Sequence, residues 1–362
     1  MKILYAVQAT GNGHIARAIE LLPFLEKHRK VDVFLSGSNS HLPAALPVVF
    51  KSKGLSLFYG NNGGLHYPKM IQSFSPLKII KEAMALPVEK YDLVINDFET
   101  ITSLACKLKR VYSIGIGHQA SFRSKLTPRP AQRDWLREMI LNSYSTASEY
   151  IGLHFQKYDS FIYAPVIKEQ VLKANPINKG HITVYLSHYS DEILEKEFSK
   201  ISSVQFQLFS KKVKHPFKRG NIKWMPISNE GFTQSMIDSA GVITGAGFET
   251  PAEAMYLQKK LLCIPIKGQY EQLCNAAALE NLGVTILASI ESGFTEKLIS
   301  WFNCEQQHSF TLQNTTDELI EQLMNKVETL YKPGFNYEQS LHLDDSIGNQ
   351  PDGFSLPHLS FK

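Results

Sequence analysis

Short apolar runs bounded by small-residue turns recur along this chain and alternate with stretches of helical spacing. The first run, Ile3, Leu4, Tyr5, Ala6 and Val7, predicts a buried strand closed by a turn through Thr10, Gly11, Asn12 and Gly13. Ile15, Ile19 and Leu22 follow at helical spacing. Further strands are predicted over 31–35, 93–95 and 111–116, with a helix-like stretch rich in Ala and Leu between the last two. The second half repeats the plan, with strands over 182–186, 204–209, 222–225, 241–244, 261–266 and 284–287 and helices over 249–257 and 271–282. Strands that alternate with helices predict parallel sheets covered on both faces, so the expected class is α/β, with doubly wound, Rossmann-like units. A length of 362 residues exceeds what one hydrophobic core usually supports. Pro165 interrupts the pattern, which divides the chain into a first domain over 1–164 and a second over 165–331. The second includes an amphipathic helix over 317–330, and the proline- and glycine-containing stretch 332–362 is expected to be irregular.

Charge changes the picture little. A net charge of +4, from 38 basic and 34 acidic residues, is too mild for a nucleic-acid binder. It suits anionic substrates or occasional contact with an acidic membrane. Cys106, Cys263, Cys274 and Cys304 form no C-x-x-C pair, which argues against a disulfide framework or a zinc site, and Cys263 sits in an apolar core run. The opening MKILYAVQAT leads straight into a glycine turn with no small-residue cleavage site, so it reads as a strand and not a signal peptide. No run approaches the ~20 apolar residues of a membrane helix. A cytoplasmic protein is expected.

Two turns carry candidate chemistry. In the first, Gly11 and Gly13 let backbone approach a ligand, and the helix start offers unpaired N–H groups to an anion. With Ala16 the run also satisfies the dinucleotide pattern G-x-G-x-x-A, but the second strand ends in Leu35, Ser36 and Gly37, with no acid for a ribose hydroxyl. His14 sets this turn apart: at the rim of a parallel sheet it suits a general base, the alternative being a capping or surface histidine. Asp97, at another strand end, can fix the tautomer of that imidazole, or else cap the helix beginning near Glu99. His118, beyond the strand over 111–116, is grouped with Gly11, Asn12 and Gly13 in the acceptor cleft.

The second turn is the stronger signal. Gly245, Ala246, Gly247, Phe248, Glu249 and Thr250 join a strand to a helix and form an anion cradle. Glu253, four residues after Glu249, is placed to reach a ribose diol. Downstream, Pro265, Ile266, Lys267, Gly268, Gln269, Tyr270, Glu271 and Gln272 form a second rim loop rich in groups that bond sugar hydroxyls, with Asn275 one turn on.

These motifs resemble the donor signature of GT-B glycosyltransferases, similar to the lipid-linked N-acetylglucosaminyltransferase of peptidoglycan synthesis and the plant and antibiotic glycosyltransferases. The resemblance runs from about Met1 to Leu330, but only the second turn, the second loop and the turn at Gly11 to His14 are specific. It implies two Rossmann-like domains facing across a cleft. Ser187, His188 and the turn from Gly245 to Thr250 would hold the diphosphate, Glu253 the ribose, and Gln269, Glu271 and Gln272 the sugar. Backbone around Met225 would face the base, and His14, supported by Asp97, would be the catalytic base. The turn at Gly11 is less glycine-rich than in the cell-wall relatives, and residues 54–76 have no counterpart, so the acceptor is not inherited.

The expected reaction is therefore inverting sugar transfer from a nucleotide-diphosphate sugar, which is a co-substrate, with no resident cofactor. The chain has no D-x-D, so metal independence is expected. The acceptor stays open among a glycan, a lipid-linked sugar and a small molecule. Two other readings keep the fold: a sugar-nucleotide 2-epimerase, and a non-catalytic sugar-nucleotide binder. Arg123, Lys125, Arg129 and Arg133 beside Trp135 and Leu136 allow peripheral contact with the inner face of a membrane, against the alternative of a solvated basic helix.

Overall fold

The computed structural model describes residues 2–9, 11–27, 29–37, 46–54, 75–291, 293–304 and 311–330. The expected acceptor region over 54–76 falls almost wholly outside the described residues, and the tail over 332–362 falls outside them entirely.

Seven parallel strands make the first sheet: β1 (Lys2–Gln8), β2 (Lys30–Ser36), β3 (Val48–Ser52), β4 (Leu93–Asp97), β5 (Ser113–Gly117), β6 (Glu149–Leu153) and β7 (Ile162–Tyr163). Their order is β3-β2-β1-β4-β5-β6-β7. Around them lie α1 (Asn12–Glu26), α2 (Pro76–Ala85), α3 (Thr100–Lys109) and α4 (Trp135–Ser143). After the short α5 (Glu169–Leu172) comes a second sheet of β8 (His181–Tyr185), β9 (Gln205–Ser210), β10 (Phe217–Arg219), β11 (Ile222–Pro226), β12 (Gly241–Thr244), β13 (Lys260–Cys263) and β14 (Thr285–Ile286). Its order is β10-β11-β9-β8-β12-β13-β14, parallel except for the edge pair β10–β11. The helices of this half are α6 (Asp191–Phe198), α7 (Asn229–Asp238), α8 (Glu249–Tyr256), α9 (Tyr270–Asn281) and α10 (Phe294–Asn303), and α11 (Thr316–Leu330) ends the described chain.

Strand order reverses between β1 and β4 in the first sheet and between β8 and β12 in the second. At such switch points the loops leaving neighbouring strands diverge to opposite faces and open a crevice at the C-terminal rim. Val7 pairs with Asp97 across the first switch, and Thr244 with Tyr185 across the second. The turns holding His14 and Gly245 therefore both leave a strand at a reversal.

One apolar cluster continues from Ile3, Tyr5 and Val7 through Phe155 and Phe248 to Leu261 and Leu279, so the two halves share packed surface. Helix α11 belongs to that cluster through Leu319, Leu323 and Val327. Assigned by its position in the chain to the second domain, it packs instead on the first. Lys326 pairs with Glu149 of β6, Thr315 accepts from the Ala164 N–H at 3.1 Å, and Ile320 and Met324 lie beside Phe24 of α1. Its apolar stripe finds a partner there, which sequence position alone does not reveal.

The strand expected over 261–266 stops at Cys263. Pro265 has no N–H for a ladder, and after Ile264 donates to Thr244 (2.9 Å) the chain turns into the rim loop. Strands β3, β6, β7 and β10 were not expected: β3 is a half-exposed edge, β6 carries Gly152 within its run, β7 has two residues, and β10 is a three-residue exposed edge.

Candidate active site

The first rim is built around Asp97, the last residue of β4, whose carboxylate is fully buried. It does not cap α3. Glu99 does, accepting from the Ile101 and Thr102 N–H groups at 2.9 and 2.6 Å. Between them Phe98 takes a left-handed conformation with φ of 56°, which costs a non-glycine residue of order 1–3 kcal/mol. That kink turns Asp97 toward α1, and it sets the Phe98 ring on Tyr144 at 4.7 Å and parallel to His14 at 6.3 Å.

Asp97 Oδ1 lies 2.8 Å from His14 Nδ1. Arg17, one turn along α1, donates Nε to Oδ2 at 2.9 Å and Nη2 to Oδ1 at 2.8 Å. Nη2 also stands 2.9 Å from His14 Nδ1. That nitrogen cannot both donate to Asp97 and accept from Arg17. A lone pair facing a carboxylate oxygen would be repelled, so Nδ1 carries the proton and donates it to Asp97. The lone pair is then on Nε2, whose polar neighbour is the Gln119 amide nitrogen at 3.5 Å. Burial alone would push the Asp97 carboxyl up, but the Arg17 charge and the hydrogen bonds from Arg17 and His14 override it and hold it at about 2. His14 is not a capping histidine, and no side chain caps α1 at Gly11.

On the second rim, the turn from Gly245 to Thr250 feeds α8. His188 lies beside it, its ring 3.9 Å from where a Gly245 side chain would begin. Burial lowers the His188 pKa to about 4, so the ring is neutral, and its buried Nε2 has no partner among the described residues. Ser187, next to it, is exposed. Met225 sits at the rim end of β11, three strand steps and about 14 Å from β12.

Two donor candidates are held in ion pairs, Glu249 from across the cleft and Glu253 by the segment that joins the domains. Glu249, at the head of α8, is ion-paired with Arg17. Glu253 is 1 % exposed and meets the Lys168 ammonium at 3.0 Å, while burial raises its pKa against that pairing. Two others have structural surroundings. Phe248, expected at the donor, is buried and stacks on His118 at 4.0 Å and against Phe155 at 5.1 Å. His118, expected to line the acceptor cleft, is fully buried, because its ring nitrogens face the Leu153 carbonyl (3.0 Å) and Asn275 Oδ1 (2.6 Å). Desolvation lowers its pKa, and its contacts with Phe248 and Asn275 make it a joint between the domains.

The second loop closes the site. Gln119, which nothing in the sequence singled out, donates to Glu271 Oε1 at 3.1 Å and so bridges the cleft from His14 to α9. Gln272 Oε1 accepts from the Ile266 N–H at 2.9 Å, and its side chain lies beside Gly245. Asn275 donates to the Ala246 carbonyl at 3.1 Å, which ties α9 to the turn before α8. Gln269, before the first turn of α9, has a buried Oε1 without a partner among the described residues. Gly11 is exposed at the start of α1, and Gly13 faces Glu249. Arg17 was also missed, although its place three residues after His14 puts both on one helix face.

Two doubly wound parallel sheets, each opening its switch point onto one cleft, define the GT-B architecture. Arabidopsis thaliana UGT89C1 complexed with UDP has this fold, with a TM-score of 0.58, 14% identity, and coverage of 96% of this chain and 99% of that one. The glycotransferase of kitacinnamycin matches at 0.55 and 12%, over 96% and 98% of the two chains. SnogD from Streptomyces nogalater matches at 0.50 and 13%, over 95% and 99%. No curated protein matches the chain. The model of glycosyl transferase family 1 matches residues 1–300, and the chain belongs to that family. It is a glycosyltransferase.

Proposed function

We propose that the protein transfers a sugar from a nucleotide-diphosphate sugar to an acceptor hydroxyl with inversion, His14 acting as general base. The observation that carries this reading is the His14–Asp97 pair, whose free Nε2 faces Gln119 and, through it, Glu271 on the donor side. His14 takes the acceptor proton as the oxygen attacks the anomeric carbon, and Asp97 stabilises the imidazolium that forms. The departing diphosphate lies on the backbone N–H groups from Gly245 to Thr250, with Ser187 and the neutral His188 ring as further donors. Gln269, Glu271 and Gln272 read the sugar, and the rim at Met225 faces the base. UGT89C1 has also been captured with UDP-L-rhamnose, which supports a uridine diphosphate sugar as the first donor to try.

Hydrolysis of uridine, thymidine and guanosine diphosphate sugars, read as release of the nucleoside diphosphate, tests this directly. Slow hydrolysis of one donor is expected, and it should survive chelator because the helix terminus supplies the positive field. An epimerised sugar, or no reaction with any donor, would count against transfer.

Glu253 is assigned the ribose. A carboxylate facing one ammonium keeps lone pairs for hydroxyl donors, and Lys168 balances its charge. Glu253→Gln keeps the shape and removes the charge. Calorimetric titration with uridine diphosphate should show binding weaker by ~1–3 kcal/mol, and unchanged affinity would remove Glu253 from the site.

Peripheral membrane contact is supported by α4. It buries none of its residues, Trp135 is 75% exposed, and Leu136, Met139 and Ile140 are exposed with it. Lys125 and Arg133 stand exposed nearby. A second copy would bring these cations against their own kind, whereas an acidic bilayer complements them. No helix among the described residues is long and apolar enough to cross a membrane. Co-sedimentation with phosphatidylglycerol vesicles is expected and should be lost in Trp135→Ser, while binding to neutral vesicles alone would argue against this surface.

A further inference from the structure

Glu249 poses an electrostatic problem. It is the first residue of α8, the helix whose N-terminus is assigned the donor diphosphate, and a free carboxylate there would repel that ligand. Its charge is directed out of its own domain, onto Arg17 of α1. The pair is packed in place. The Arg17 side chain is 2% exposed, and a side chain on Gly13 would run into the Glu249 carboxylate. On the other side Gly117, with φ of 128°, leaves room for Asp97 and Arg17. A Cβ there would stand 2.9 Å from Asp97 Oδ1 and 3.2 Å from Arg17 Nη2. One guanidinium thus binds both oxygens of the carboxylate behind His14 and, through Nη1, the carboxylate that heads the donor helix of the other domain.

The geometry points to Arg17 as a positioning residue for the transfer reaction, and to its pair with Glu249 as a latch that aligns His14 only when the donor helix is docked on the first domain. The inference rests on His14 as the base. With Nη1 held by Glu249, the guanidinium cannot swing, and Asp97 Oδ1 stays aimed at His14 Nδ1. When the domains part, Glu249 leaves with its helix and that restraint goes. Base alignment then follows domain closure, which limits wasteful donor hydrolysis in the open form.

The test uses two independent readouts. In protein labelled with nitrogen-15 at histidine, the Nδ1 proton that His14 gives to Asp97 should appear as a downfield resonance, identified by its absence from His14→Gln. Turnover is read as hydrolysis of a uridine diphosphate sugar, and affinity by titration with uridine diphosphate. Glu249→Gln, which keeps the size of the side chain, should weaken or shift that resonance and lower kcat by about 10- to 100-fold with KM and affinity unchanged, the usual cost of a misplaced group. Arg17→Ala should do the same, and added guanidinium ion should restore both signals. A resonance and kcat unaltered by Glu249→Gln would overturn the latch. So would a rise in KM alone, which would make Glu249 a donor ligand. If the resonance responds as expected while His14→Ala turns over normally, the latch stands and the base assignment fails.

Discussion

Truncation of His14 to alanine is expected to lower turnover by about 10²-fold or more, the usual contribution of a positioned base. Folding and uridine diphosphate affinity should change little, because the imidazole projects from the first domain while the donor residues belong to the second. His14 makes one charged hydrogen bond, to Asp97, and that carboxylate keeps Arg17 when the ring is gone. The effect should therefore fall on kcat. Turnover within a few-fold of wild type on a proven acceptor would sink the assignment, whatever the structure of the pair. Exogenous imidazole offers a companion measurement, since a small base entering the vacated space should recover part of the rate.

Asp97→Asn should strike stability harder than the role of a base orienter suggests. The carboxylate is buried and accepts from His14 Nδ1, Arg17 Nε and Arg17 Nη2. An amide turns one of those acceptors into a donor and leaves the buried guanidinium with Glu249 alone. Breaking a buried pair in this way costs about 3–5 kcal/mol, which urea unfolding would register. The acid limb of stability should change too. The folded carboxyl titrates at about 2, below its ordinary 3.8, so its ionised form stabilises the fold above the ordinary value. That contribution is lost as the pH falls from 3.8 toward 2, and Asp97→Asn should lack this component of acid unfolding. A loss below ~1 kcal/mol, the scale of an exposed pair, together with an unchanged acid limb would mean that Asp97 is not the buried partner described here.

Much of this was legible because parallel α/β architecture writes itself into local pattern. Residues 3–7 and 241–243 carry no polar side chain beyond the Tyr5 hydroxyl, since both faces of their strands are covered, and the glycine turns mark where each strand gives way to a helix. The pairing of His14 with Asp97 followed from topology, as strand ends of one sheet share a rim. What the sequence hid lies between the domains. Nothing local announces that Phe248 will enter an aromatic cluster with His118 and Phe155, or that Asn275 will meet His118. Such contacts depend on how two independently patterned sheets are set against each other, and side chains that look poised for a ligand turn out to hold the halves together. Arg17 is the intermediate case: its spacing from His14 was visible, while its partner on α8 was not.

The return of α11 to the first domain has a mechanical consequence. The chain passes between the two bodies once after β7 and again before α11, where Thr315 meets Ala164 and Lys326 meets Glu149. A rigid body pinned to another at a single point can swivel in every direction, whereas one held at two points turns about the line that joins them. The second crossing thus restricts twisting and sliding of one body on the other.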